Sequence, residues 1–95
     1  MRESEKDIER HLVKMCKLNG GMCIKLLSFH TVGLPDRLCL FAGAKIAFVE
    51  LKTTGQKIRP IQKFMHDKLL AIGFSVEVID SVEKVNSFIE KMILC

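Results

Sequence analysis

A short glycine-containing loop between two apolar segments constrains this fold more than any other feature of the sequence. Residues 34–41 and 45–52 both have strand-like apolar patterns, and only residues 42–44, Ala-Gly-Ala, separate them. Three residues is a common length for a hairpin loop, and glycine allows the positive φ angle that such loops need. The pattern predicts an antiparallel hairpin in which Phe41 faces Lys45.

The same hairpin brings two acidic side chains together at its open end. Counting outward from the loop places Asp36 opposite Glu50. Alternation along the strands places seven residues on one face, and these are Asp36, Leu38, Leu40, Ile46, Phe48, Glu50 and Lys52. Directly opposed carboxylates have Cβ atoms about 4.5–5.5 Å apart and repel unless a cation or a proton lies between them. We therefore predict a cation site. The alternative is that Asp36 only begins a strand after Pro35 and that Glu50 and Lys52 are the solvated end of another strand.

The donor types at this site indicate the chemistry. Two carboxylates, the backbone carbonyl of Leu51 and waters would give Mg²⁺, or Mn²⁺ as a substitute, its preferred oxygen octahedron. Lys52 lies on the same face as Glu50, so its ammonium can stabilise charge on a phosphate or position the attacking water. A divalent metal activates water and polarises a phosphodiester. The residues predict metal-dependent phosphodiester hydrolysis without an organic cofactor.

The other segments predict an αβββαβα order. Ser4 and Asp7 form a capping-box pattern ahead of an amphipathic helix. A strand is predicted over residues 22–29, before the hairpin. Pro60 opens a second helix that ends at Gly73, and a strand over residues 74–79 follows. Asp80 or Ser81 caps the last helix. The 95 residues fit one domain, residues 1–95.

Composition narrows the class of protein. Apolar residues make up 48% of the chain and charged residues 27%, which is typical of a globular domain. No apolar run reaches the roughly 20 residues of a membrane span, and the amino terminus does not resemble a secretory leader. We expect a soluble cytoplasmic protein that does not bind membranes. Its four cysteines lack paired spacing and favour reduced thiols. The histidines, scattered at positions 11, 30 and 66, do not predict a zinc site.

Basic residues follow the predicted site. The net charge is +4. Lys57, Arg59 and Lys63 come soon after Lys52, and we expect them to contact DNA phosphates. Lys25 on the first strand is a further candidate, although an exposed lysine on a strand is common.

The motifs resemble those of the PD-(D/E)XK nuclease superfamily, and in particular its VRR-NUC family. The resemblance rests on Gly33-Leu34-Pro35-Asp36-Arg37-Leu38, on Phe48-Val49-Glu50-Leu51-Lys52 and on Gln62, and it extends over nearly the whole chain. It implies a restriction-endonuclease-like αβββαβ core, with a mixed central sheet flanked by helices and followed by a C-terminal helix. By this resemblance Asp36 and Glu50 are metal ligands and Lys52 is the catalytic lysine. Glu9 is the active-site acid of the first helix, which completes the metal site or holds a second ion, and Gln62 is the active-site glutamine of the following helix. Glu5 is the competing helix acid.

The resemblance also implies a substrate and an assembly. Stand-alone family members of this length resemble Holliday junction resolvases and are expected to act as homodimers on branched DNA, most often four-way junctions. A twofold dimer would place two active sites on two related strands. The C-terminal Ile93-Leu94-Cys95 is either an interface element or the end of a packed helix. The alternatives are a flap or nicking nuclease, a restriction-like enzyme, or a subunit that binds nucleic acid without cutting it.

Overall fold

The computed structural model describes residues 2–94, and these residues form three helices and four strands. In chain order the elements are α1 (Glu5–Leu18), β1 (Met22–Lys25), β2 (Arg37–Phe41), β3 (Lys45–Leu51), α2 (Pro60–Ala71), β4 (Ser75–Ile79) and α3 (Val82–Leu94). This order confirms the predicted αβββαβα arrangement. None of the helices within residues 2–94 has both the length and the apolar character needed to cross a membrane.

The four strands form one mixed sheet in the order β1-β2-β3-β4. β1, β2 and β3 pair antiparallel, whereas β4 runs parallel to β3. A parallel neighbour requires a crossover connection, and α2 supplies it. The mixed sheet flanked by helices is the predicted fold class.

The central hairpin has the predicted register. Phe41 pairs with Lys45, and Arg37 pairs with Val49 at the far end of the ladder. Gly43 and Ala44 in the loop both have positive φ angles, of 83° and 60°. The next step outward from Arg37 and Val49 aligns Asp36 with Glu50, which is the juxtaposition predicted from the sequence.

Helices cover both faces of the sheet. On one face, Val49 and Leu51 of β3 are buried in a core with Ile8 of α1 and Val85 of α3. Alternation turns Glu50 to the opposite face, where it contacts α2. The acidic site thus lies between the sheet and α2, and the main apolar core lies on the other side.

The first strand is shorter than the predicted span of residues 22–29. β1 ends at Lys25. Just beyond the paired residues of β1 and β2, the Leu26 amide donates a hydrogen bond to the Asp36 carbonyl at 2.9 Å. Pro35 has no N–H group, so β2 cannot continue the ladder past Asp36. Residues 26–34 instead form a connection without regular secondary structure.

The helix starts follow the predicted caps. The Ser4 hydroxyl accepts a hydrogen bond from the Asp7 amide at 3.1 Å. At α3, the Ser81 hydroxyl accepts from the Lys84 amide at 3.1 Å, which makes Ser81 rather than Asp80 the cap. Cys16, Cys23 and Cys39 are free thiols, as predicted, and Cys95 lies outside the described residues.

Candidate active site

Asp36 is held at the end of the hairpin by backbone contacts. One of its carboxylate oxygens, Oδ2, accepts a hydrogen bond from the Leu51 amide at 2.8 Å. This bond crosses from the residue before β2 to the last residue of β3, so it fixes the carboxylate beside Glu50. The conformation of Asp36 therefore depends directly on the hairpin register.

Glu50 is a buried carboxylate with one hydrogen-bonded oxygen. Glu50 is only 2% exposed. Oε2 accepts a hydrogen bond from the Gln62 amide at 3.1 Å, whereas Oε1 has no hydrogen-bond partner among residues 2–94. Burial, reinforced by the neighbouring Asp36 carboxyl, raises the pKa of Glu50 to about 8. In the absence of a cation, this carboxyl group consequently holds a proton through most of the neutral range.

Lys52 lies beside the two acids. Its Nζ is 4.0 Å from Glu50 Oε2, and its side chain is 12% exposed. The ammonium partly opposes the rise in the pKa of Glu50. It does not remove that rise, because the burial of Glu50 and the repulsion from Asp36 act more strongly.

Gln62 connects Glu50 to the start of α2. Its amide Oε1 accepts a hydrogen bond from the Arg59 backbone amide at 2.8 Å, which closes the cap of the helix. With the oxygen occupied in this way, the NH₂ group points at Glu50. Gln62 therefore holds Glu50 in place as well as capping α2.

Replacing Gln62 with alanine should reduce cleavage by about tenfold and lower the free energy of unfolding by about 1 kcal/mol. The amide no longer caps α2, and Glu50 loses its only hydrogen-bond donor within residues 2–94. Gln62→Glu is the matched variant, since its carboxylate can still accept from Arg59 but repels Glu50. It should keep the stability of α2 and lose more activity than the alanine variant. Equal activity for all three proteins would exclude a positioning role.

His66 is a site residue that the sequence did not indicate. It lies one turn after Gln62 and is 4% exposed. Its Nε2 is 3.4 Å from Glu50 Oε1, but the two atoms do not have hydrogen-bond geometry. Both atoms are buried, and neither has a hydrogen-bond partner in the described part of the chain. Burial lowers the pKa of His66, which favours the neutral ring. The spacing of four residues from Gln62 on one helix face was the available signal.

The donor set fits a divalent cation. A buried carboxylate oxygen without a hydrogen donor is costly unless a cation, a proton or a water molecule satisfies it. Glu50 Oε1 is such an oxygen, and the Asp36 carboxylate lies alongside it. Hard divalent ions prefer carboxylate oxygens of this kind.

The two candidate acids of α1 have different surroundings. The Glu9 carboxylate accepts a hydrogen bond from Arg37 Nε at 2.9 Å, so it is engaged in an ion pair. Glu5 is close enough to Glu50 that its charge contributes to the raised pKa of that carboxyl. The structure thus brings Glu5 towards the acidic site and pairs Glu9 with Arg37.

The predicted DNA-contacting residues are all exposed. Lys57 and Arg59 lie in the segment between β3 and α2, and Lys63 lies in the first turn of α2, where it pairs with Asp67 at 3.1 Å. Gln62 ties this same turn to Glu50. Lys25 stands apart, on the edge strand β1.

Comparisons with known proteins agree with this arrangement. No family model matches the sequence. The chain is 43% identical over 77 residues to "Putative nuclease p44" from Acyrthosiphon pisum secondary endosymbiont phage 1, and the match covers 81% of this chain and 83% of that protein. A solved structure described as a VRR_NUC domain superposes with a TM-score of 0.86 and 27% sequence identity, covering 93% of this chain and 97% of that one. The chain belongs to the VRR-NUC family of nucleases.

The VRR-NUC assignment confirms the family resemblance seen in the sequence. It also confirms the fold class, because the structural match extends over nearly all of the chain. The chain is therefore an enzyme of the nuclease class, and its acidic site lies where the hairpin register of this VRR-NUC fold brings Asp36 and Glu50 together.

Proposed function

We propose that this VRR-NUC nuclease is a Mg²⁺-dependent, structure-selective endodeoxyribonuclease that cuts branched DNA, four-way junctions above all, as a homodimer. The observation that carries the proposal is the Oε1 atom of the buried Glu50, which lies beside Asp36 and Lys52 and has no hydrogen-bond partner within the described residues. A subunit that bound DNA without cutting it would have no use for this costly arrangement. Because the relative p44 is a phage protein, we infer that the enzyme acts in the cytoplasm of a host cell.

Asp36, Glu50 and the backbone carbonyl of Leu51 would hold the Mg²⁺ ion, with Mn²⁺ as a substitute. Glu5 is the better candidate for the acid from α1, because Glu9 is paired with Arg37. When bound, the ion would supply a nucleophilic water at neutral pH and polarise the scissile phosphodiester.

The protein's own groups act around that centre. Lys52 places a positive charge 4.0 Å from Glu50, where it can stabilise the charge that develops on the phosphate as water attacks phosphorus and the P–O bond breaks. Gln62 keeps Glu50 oriented. The Leu51 amide does the same for Asp36. Two backbone-anchored contacts therefore preorganise the carboxylates before the substrate binds.

The exposed basic residues would bind the DNA backbone. Lys57, Arg59 and Lys63 lie on the segment that leads into α2, next to Gln62. Their charges would contact phosphates and fix the position of the strand without reading its bases. Lys25 on β1 would contact a second, more distant part of a branched substrate.

The exposed apolar residues of the β1–β2 connection support a dimer with a second copy of this chain. Leu27, Phe29 and Val32 are 81%, 99% and 66% exposed. In the sheet formed by residues 2–94, β1 beside them is an edge strand with one free side. The other candidate interface, at the end of α3, includes Leu94 at 74% exposure, and Cys95 lies outside the described residues. The β1–β2 connection exposes more apolar surface, so we favour it.

Replacing Leu27 and Phe29 together with serine should convert the dimer to a monomer and weaken paired cutting of a junction by at least about tenfold. Analytical ultracentrifugation measures the first effect, and the ratio of paired to single cuts measures the second. Ile72→Ser is the matched control, because Ile72 is 71% exposed but lies at the end of α2. A native protein that is monomeric at working concentrations would refute the dimer and leave the active site unaffected.

Labelled DNA of defined structure tests the substrate directly. The protein should cut a four-way junction faster than a flap, a nicked duplex or a linear duplex, in Mg²⁺ or Mn²⁺ and not in EDTA. Asp36→Ala and Lys52→Ala should both remove the activity. If flaps or nicked duplexes are cut fastest, the enzyme is a flap or nicking nuclease and the junction assignment is wrong. If neither substitution affects cutting, the assignment of the active site is wrong.

A further inference from the structure

Three cysteine thiols from different elements meet on the core side of the sheet. Cys23 of β1 and Cys39 of β2 are direct cross-strand partners, with their Sγ atoms 3.9 Å apart. Cys16 of α1 completes the group, and all three Sγ atoms lie within 4.8 Å of one another. Cys16 and Cys39 are fully buried, whereas Cys23 is partly exposed. These residues form what we call the thiol triad.

A positive charge lies against the thiol triad. The Arg37 guanidinium, 16% exposed, donates through Nη1 to the Cys23 backbone carbonyl at 3.3 Å and through Nε to Glu9 at 2.9 Å. Hydrogen bonds with the Cys16 and Cys39 thiols, aided by the charge of Arg37, lower the pKa of Cys23 to about 4 and favour its thiolate form. The hydrogen bond with Cys23 raises the pKa of Cys16 to about 12, and the hydrogen bonds with Cys16 and Cys23 raise that of Cys39, so these two thiols would release their protons as an ion binds. Thiolates are the form of cysteine that binds metals.

We propose that the thiol triad binds one thiophilic divalent cation of the zinc type, at a site separate from the active site. Soft sulfur ligands select zinc-like ions, whereas the oxygen ligands of Asp36 and Glu50 select Mg²⁺. Three thiolates and a divalent ion leave one net negative charge, and Arg37 offsets it in part. A water molecule on the partly exposed side, at Cys23, would complete four-coordination.

The distances suit this ion. Zn–S bonds of about 2.3 Å in a tetrahedral site place sulfur atoms about 3.8 Å apart. The Cys23–Cys39 separation of 3.9 Å already matches this spacing. No two Sγ atoms of the thiol triad are more than 4.8 Å apart. Bringing them to the zinc spacing therefore requires movements of at most about 1 Å, which small side-chain rotations provide.

A Cys23–Cys39 disulfide is the competing use of these thiols. It would require the sulfur atoms to approach to about 2.0 Å, and it would leave Cys16 as an unused buried thiol. An ion uses all three thiols and joins α1 to β1 and β2. The convergence of a third cysteine from another element favours the ion.

The test uses the full chain with Cys95→Ser in every sample, so that all remaining thiols belong to the triad. Protein produced with zinc and dialysed exhaustively should retain one zinc per chain by mass spectrometry of the metal. Replacement by Co²⁺ should give sulfur-to-cobalt charge-transfer bands. Loading with zinc should raise the Tm by more than about 5 °C. Cys23→Ser, at the partly exposed position, should lose the cobalt bands and at least about ten-fold in zinc affinity while keeping the native circular dichroism spectrum.

Asp36→Asn separates this site from the active site. It should retain the zinc and the cobalt bands, because its substitution lies at the oxygen-ligand site. If Asp36→Asn loses the ion and Cys23→Ser keeps it, the ion belongs to the active site and the proposal is wrong. The proposal also fails if the native protein retains no ion, or if its intact mass shows a disulfide after purification without reductant. None of these outcomes bears on DNA cleavage by the Mg²⁺-dependent site.

Discussion

Asp36→Asn is expected to lower cleavage of branched DNA in Mg²⁺ by about 100- to 1000-fold without unfolding the protein. Asparagine keeps the size of the side chain, and its oxygen can still accept the hydrogen bond from the Leu51 amide. What it removes is the negative charge that, with Glu50, would hold the metal. Single-turnover cleavage rates measure the loss, and circular dichroism checks the fold.

The control for this loss of charge is Asp67→Asn. Asp67 is exposed on α2 and pairs with Lys63. This variant removes the same amount of charge from an exposed position on α2 and should cut within about twofold of the native rate, since a surface ion pair contributes little. If both variants lose activity equally, net charge rather than the active site is responsible, and the assignment of Asp36 fails.

Glu50→Gln should stabilise the metal-free protein while it removes activity. Native Glu50 is a buried carboxyl whose Oε1 atom lies 3.4 Å from His66 Nε2 and accepts no hydrogen bond from any residue between 2 and 94. A glutamine there is neutral and can direct its NH₂ group at that nitrogen. In EDTA at pH 8.5, we expect the free energy of unfolding to rise by about 1–3 kcal/mol. Urea unfolding measures the change.

The effect of Glu50→Gln should depend on pH in a defined direction. The pKa of Glu50 is about 8 in the folded protein, above the ordinary value of 4.5. Between these values the folded state binds more protons than the unfolded state, so this group's contribution to stability falls as the pH rises from about 4.5 to 8. The Glu50→Gln variant does not lose stability in this way. The difference in free energy of unfolding between this variant and the native protein should therefore be larger at pH 8.5 than at pH 5.5. The exposed control Glu83→Gln should show no such trend, and a constant advantage for Glu50→Gln would contradict the raised pKa.

The hairpin and its acidic pair could be predicted because local rules determine them. The loop length determines which residues pair across the hairpin, and the alternation of side chains along each strand determines which face of the sheet each side chain lies on. Counting from Phe41 and Lys45 was therefore enough to align Asp36 with Glu50. The role of Gln62 came from the family resemblance, and its bond to Glu50 agrees with that role.

Features that depend on packing between distant segments could not be predicted in this way. The choice between Glu5 and Glu9 depends on how α1 crosses the sheet and on the position of Arg37. His66 was set aside because it had no nearby metal-ligand partner in the sequence, yet the packing of α2 brings it to Glu50. The strand predicted over residues 22–29 ended early because its partner strand begins after Pro35.

The hairpin register also constrains how this family can vary in length. Asp36 lies five residues before Phe41, and Glu50 lies five residues after Lys45, so the two counts are equal. An insertion within either strand would send one acid to the opposite face, whereas an insertion within the loop would leave the pair intact. Functional relatives should therefore differ in the spacing between these acids only through the hairpin tip. An aligned homologue with a one-residue gap inside β2 or β3 is expected to have lost nuclease activity.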